Sequence, residues 1–137
     1  MAFKFNMLLC MAMVASMAFH SSAQVFTHVV GDTAGWNKPS IPTLYADWAG
    51  SQIFEVNDIL KFNFKTGEED LGEVSKQGYD QCNNHGLVNY IKEGPANITL
   101  TEPGPHYFVC LVGDHCEAGQ KLNQMKRFAN KAKIYNN

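Results

Sequence analysis

The chain has little charge and few cysteines for its 137 residues: 18% are Asp, Glu, Lys or Arg, and four are Cys. It has no internal repeat and no low-complexity linker, so neither a solenoid nor a tandem array is expected. Long amphipathic helical patterns are missing except near the carboxyl end, which argues against a helical bundle. Its longest apolar run, Met7 to Phe19, is shorter than the roughly 20 residues that a membrane-spanning helix needs. There is no excess of positive charge either, since the formal net charge is -2, and nucleic acid is excluded as a partner. What remains is one ordinary globular domain.

The first residues are set apart from that domain. Lys4, the apolar run and the small residues Ser21, Ser22 and Ala23 form the pattern of a cleaved secretory leader, residues 1–23, and the mature chain then starts at Gln24. Export matters because an oxidising compartment lets thiols pair. Cys10 leaves with the leader, so Cys82, Cys110 and Cys116 remain, and an odd count leaves at least one thiol without a partner in the monomer. That thiol is a buried inert cysteine, half of an intermolecular disulfide, or a metal ligand.

Spacing favours the ligand reading. In "YFVCLVGDHCEAGQ", four residues separate Cys110 from His115 and four separate His115 from Gln120, with Gly113 and Gly119 to bend the loop. Thiolate and imidazole suit copper, and a type-1 copper site adds a weak axial ligand that is Met or Gln. If Cys110 takes this role, Cys116 is left free to pair with Cys82.

The rest reads as β structure. Phe54, Val56, Leu60, Phe62 and Phe64 alternate with polar neighbours, and Val25–Val30, Asn97–Thr101 and His106–Val112 form similar short runs. Turn residues separate them, as in the "EPGP" of Glu102 to Pro105. Short strands with regular turns predict a Greek-key sandwich or barrel.

The stretches "HVVGDTAGW", "YADWAGSQIFEVNDILKFNF", "EVSKQGYDQCN" and "HYFVCLVGDHCEAGQKL" together resemble the phytocyanins, secreted plant blue-copper proteins, from about Val25 to Leu122. The resemblance implies an all-β cupredoxin Greek-key β-sandwich with short helical segments and one disulfide. It implies copper ligands at Cys110 and His115, an axial ligand at Gln120, and a disulfide from Cys82 to Cys116. One expected ligand is missing: where the family carries a histidine followed by Asn or Asp, this chain has Glu69 in "GEEDLGEVSK". A carboxylate is a harder, anionic ligand that favours the oxidised ion. On this reading Glu69 replaces the histidine as ligand; the competing reading is that Glu68 to Asp70 form a solvated loop tip.

Other residues carry weaker expectations. His28 and His106 are expected at a strand surface or in local hydrogen bonds, and His85 at the surface. Trp36 and Trp48 are expected in core and loop packing, in a region that the resemblance places away from the metal. Asn97-Ile98-Thr99 is the N-glycosylation sequon, with Asn97 facing solvent. Residues 24–120 hold five Lys against thirteen acids, whereas residues 121–137 hold five bases and no acid. The latter end is expected to be a basic tail, residues 123–137 after a domain of 24–122, in which Leu122, Met125, Phe128 and Ala132 recur at helical spacing. It lacks the pattern of a lipid-anchor signal, so any membrane contact is peripheral.

Two functions follow from the resemblance. One is single-electron transfer through one copper ion at an incomplete site, with an unidentified redox partner. The other is a copper-free, early-nodulin-like structural or binding protein contacting a cell-wall component or the outer face of the plasma membrane. In both, the protein is a secreted, extracellular monomer and not an enzyme.

Overall fold

A computed structural model of the protein describes residues 24–124. Two sheets face each other. The first has three strands in the order β1 (Thr27–Val29), β2 (Ile59–Phe62) and β5 (Ala96–Thr99), with β1 parallel and β5 antiparallel to β2. The second has four antiparallel strands in the order β4 (Asn89–Ile91), β3 (Leu71–Val74), β6 (Tyr107–Val109) and β7 (Lys121–Asn123).

Alternation along β2 explains how the first sheet faces the core. Leu60 and Phe62 are buried while Ile59 and Lys61 are only partly covered, the period-2 pattern of a strand with one wet face. Phe62 meets Trp36 edge-on and Phe108 at a tilt, joining the two sheets through aromatic contacts. In β6 all three residues are buried. The strand is central, and Phe108 faces the main core while Tyr107 and Val109 pack in a second cluster with Val74 and Cys116.

Two short helices cover what the sheets leave open. Helix α1 (Leu44–Ser51) follows Pro42 and buries Tyr45 and Trp48. Helix α2 (Lys76–Gln81) starts at the N-cap Ser75, whose side chain accepts from Gly78 N at 3.1 Å, and stops at Cys82, which has a left-handed φ of 51°. Neither helix stands out in the sequence, because at eight and six residues neither is long enough to show a full amphipathic period.

The elements are shorter than the apolar runs promise. Val25 and Phe26 are exposed and precede β1. Val56 is also exposed and does not continue the alternation of Phe54, because the chain turns at Asn57, whose φ is 76°, before β2 begins. The last strand ends at Asn123, one residue past the sequence-based boundary, and Gln124 is buried. The helical spacing expected after Met125 lies outside the described residues.

Candidate metal centre

Glu69 lies at the end of the β2–β3 connection. Gly67 takes a φ of 89°, and the amides of Glu68 and Glu69 both donate to Lys65 O, at 3.2 and 3.3 Å. This turn sends Glu69 inward while Glu68 stays exposed. Glu69 is 8% exposed and Asp70 is 5% exposed, so the reading of Glu68 to Asp70 as a solvated loop tip is overturned for two of its three residues. The cause is Asp70. Its Oδ1 accepts from Leu111 N at 2.6 Å, its Oδ2 accepts from the Tyr90 hydroxyl at 2.8 Å, and its backbone carbonyl accepts from Trp36 Nε1 at 2.8 Å.

Cys110 follows β6 directly and is fully buried. Its amide donates to Gln120 O at 3.1 Å, and Gln120 N donates to His115 O at 2.9 Å, so the backbone closes the Cys110–Gln120 loop on itself. Gly119 is needed here, since a Cβ on it would sit 2.4 Å from Pro42 O at a φ of 112°. A disulfide between Cys82 and Cys116 ties the C-terminus of α2 to the residue beside His115. Cys110 is the free cysteine of the described residues.

These segments bring three donor atoms together. One ligand atom each of Glu69, Cys110 and His115 lies within 4.8 Å of the others. Glu69 Oε2 is 2.8 Å from His115 Nδ1 and accepts from the Cys110 thiol at 3.4 Å, and the sulfur is 3.7 Å from the same nitrogen. Burial pushes the Cys110 thiol up to about 12, against the pull of the Asp70 and Val112 backbone amides that hydrogen-bond its sulfur. In neutral solution the thiol therefore keeps its proton, which a metal would have to displace to bind the sulfur. Tyr45, whose hydroxyl donates to Gly35 O at 2.7 Å, is also pushed up to about 12, chiefly by burial and further by the charges of Glu69 and Cys110.

The two raised groups give an alkaline stability profile with a definite sign. A group that holds its proton more tightly in the folded chain than in the unfolded one lowers stability as pH climbs between the two values. Denaturant midpoints are expected to fall progressively from about pH 9.0 towards about pH 12, the window in which Cys110 and Tyr45 are ionised in the unfolded chain but still protonated in the folded one. Urea unfolding followed across that range checks it; a midpoint that holds steady to the upper end contradicts the assignment.

Gln120 completes the picture. It is 0% exposed, and neither its amide nitrogen nor its amide oxygen has a hydrogen-bond partner among the described residues. A buried amide left unmade costs about 1–3 kcal/mol per group, so an orphan of this kind calls for a partner. Thiol, imidazole and carboxylate are a donor set whose chemistry suits one copper ion.

The remaining sequence candidates lie elsewhere. His85 is exposed, with Nδ1 2.7 Å from Ser75 Oγ. His28 makes long-range contacts instead of local ones, with Nε2 2.8 Å from Asp58 Oδ2, whereas His106 combines a local bond, Nε2 to Glu102 O at 3.0 Å, with a long-range one, Nδ1 to Glu73 Oε1 at 2.9 Å. Asn97 is exposed on β5. Trp36 is buried as expected, yet its bond to Asp70 places it against the metal loop, correcting the expectation that this region lies away from the site. Asp70 itself was missed as a support, although it stands where the Asn or Asp of the family's ligand pair belongs.

Comparison with known proteins agrees with this fold. Residues 36–120 match the family model of the plastocyanin-like domain. The chain is 43% identical over 102 residues to the cucumber (Cucumis sativus) peeling cupredoxin, covering 73% of this chain and 74% of the relative. It is 39% identical over 94 residues to a blue copper protein of Arabidopsis thaliana, covering 69% of this chain but only 48% of that longer relative. The structure of cucumber stellacyanin with Cu2+ at pH 7.0 superposes with a TM-score of 0.68 at 41% identity, over 75% of this chain and 96% of that one.

Two facing sheets with a disulfide beside a buried thiol and imidazole define a cupredoxin. Within that class, the chain belongs to the plastocyanin-like family of plant blue copper proteins, the phytocyanins.

Proposed function

We propose that the protein is a secreted single-electron carrier built around one copper ion, which Cys110, His115 and Glu69 would hold, with Gln120 as a further, weaker donor. The observation that carries this reading is the convergence of the first three donors within 4.8 Å. Copper, when bound there, supplies the exchange of one electron between its two oxidation states.

The chain's own residues prepare the place. Cys110, His115 and Glu69 would hold the ion, and to do so Cys110 would have to lose its proton and Glu69 its hydrogen bonds from the thiol and the ring. The amides of Asp70 and Val112 hydrogen-bond the sulfur and orient it, and Asp70 is itself fixed from three sides. His115 is the ligand that reaches outward, with 20% of its side chain exposed against 8% for Glu69, and it is the group through which a redox partner would make contact. A thiol held protonated up to about pH 12 is a poor nucleophile, which supports a ligand over a thiol catalyst.

Secretion is part of the proposal. A structural disulfide suits an oxidising compartment, and residues 1–23 have the composition of a leader. Export would also make Asn97 a usable glycan acceptor, since Asn97 and Thr99 both face outward on β5. Beyond β7 and the buried Gln124, residues 125–137 hold four bases and no acid and would form the basic tail, and among the described residues no helix is long and apolar enough to cross a membrane.

Cu(II) added to the purified protein is expected to give an intense visible band from sulfur-to-copper charge transfer, and Cys110→Ser is expected to abolish it while leaving the fold intact by circular dichroism. A band of equal intensity in the serine variant would remove Cys110 from the site and the proposal with it.

A further inference from the structure

We infer that a groove beside the metal loop is a second binding site, for a neutral saccharide chain. The inference stands independently of copper and of electron transfer. The groove has a volume of about 470 Å³, opens to solvent, and is lined by Asn37, Asn63, Phe64, Lys65, Glu68 and Pro95. That volume lies within the range of roughly 300–1,000 Å³ typical of small-ligand sites.

Its walls are fixed before any ligand arrives. Trp36 N donates to Asn63 O at 2.8 Å, Asn37 N donates to the Tyr45 hydroxyl at 2.8 Å, and Gly94 N donates to Thr66 Oγ1 at 3.1 Å. The Pro95 side touches the Phe64 side only because residue 94 is glycine, for a Cβ there would lie 2.1 Å from Phe64 O. Three segments distant in sequence are thus locked around one depression.

The polar groups on those walls are free. Among the described residues, no hydrogen bond or ion pair engages the side chains of Asn63, Lys65 or Glu68, and Asn37 commits only its Nδ2, to Ala34 O at 2.7 Å. One cation and one anion stand in the groove, so charge selects neither an anionic nor a cationic ligand. Both are exposed, where an ion pair with a zwitterion is worth only about 0–1 kcal/mol each. What the walls offer instead is a mixture of donors (amide nitrogens, ammonium) and acceptors (amide oxygens, carboxylate). Hydroxyls both donate and accept, so a run of sugar hydroxyls satisfies such a mixture. Pro95, exposed beside the edge of the buried Phe64, adds apolar surface for the C–H face of a sugar ring.

Amide NMR of the full chain, without metal, tests this with three probes: cellotetraose as a neutral saccharide, trigalacturonate as an acidic one, and glycine as a zwitterion. Cellotetraose is expected to shift the side-chain amide signals of Asn37 and Asn63 saturably. Asn63→Ala combined with Glu68→Ala, both at exposed and unpartnered side chains, is expected to weaken that binding by about tenfold or more, because two hydrogen bonds are lost. The dispersed spectrum of the variant reports that it remains folded. No saturable shift with cellotetraose overturns the inference. So does binding left unchanged by the double variant, and so does tighter binding of trigalacturonate or glycine, which would make the groove a charge-reading site.

Discussion

Glu69→His is expected to raise the reduction potential of the copper-loaded protein by on the order of 100 mV. The argument is electrostatic. An anionic ligand stabilises the more highly charged ion, and Glu69 Oε2 already lies 2.8 Å from His115 Nδ1 and 3.4 Å from the Cys110 sulfur. At an effective dielectric constant near 20, removing one unit charge at about 4 Å changes the balance by roughly 4 kcal/mol, and solvent reaching the partly exposed side of the site trims that figure. For a one-electron couple each tenfold change in equilibrium constant corresponds to about 59 mV, hence an upward shift of this order. The same substitution supplies the second imidazole of the type-1 set, so the visible band should strengthen and copper should be held more tightly. Voltammetry of the two loaded proteins side by side decides it; a potential that is unchanged or lower in the variant would show that Glu69 does not touch the metal.

Removing the disulfide is expected to cost about 4 kcal/mol of stability. The bridge closes a separation of 34 residues from Cys82 to Cys116, and on the chain-entropy account the cost grows with the logarithm of that length. Replacing both cysteines by alanine, and not one, avoids leaving a reactive thiol at the end of α2. Urea unfolding of Cys82→Ala/Cys116→Ala measures the loss directly, and a change under about 1 kcal/mol would mean that the loop is held by its packing alone. A second effect follows from position. Cys116 follows His115 in the chain and belongs to a buried cluster with Val74, Tyr107 and Val109, so the double variant should also release copper faster than the wild type.

The closeness of Cys110 and His115 was legible from sequence because its information is local. Both lie within one short loop with two glycines, and the structure brings them together with Glu69 supplied from outside it. The β character was legible for a related reason, since burial on one face of a strand leaves a period-2 trace, as Leu60 and Phe62 show. Strand ends were not, because they are set by pairing partners. Val25 and Phe26 are as apolar as Val29 and Val30 but lie before the β1–β2 register, which starts at Thr27 opposite Ile59, and their side chains stay exposed. The acidic run was misread for the same kind of reason. Nothing within "GEEDLGEVSK" says that Asp70 will meet Leu111 N, Tyr90 and Trp36, contacts that span 20 to 41 residues and turn two of three carboxylates inward. The approach of Trp36 to the metal loop is likewise a product of tertiary packing, invisible in the segment that contains it.

The central claim is that a carboxylate takes the place of an imidazole in a working copper site, and metal stoichiometry tests it most directly. Wild-type protein incubated with Cu(II), freed of loosely bound ion and assayed for copper alongside its visible spectrum, is expected to retain one ion per chain and to show the sulfur-to-copper band. If the wild type retains none while Glu69→His retains one, Glu69 closes the site instead of completing it, and the electron-carrier reading falls.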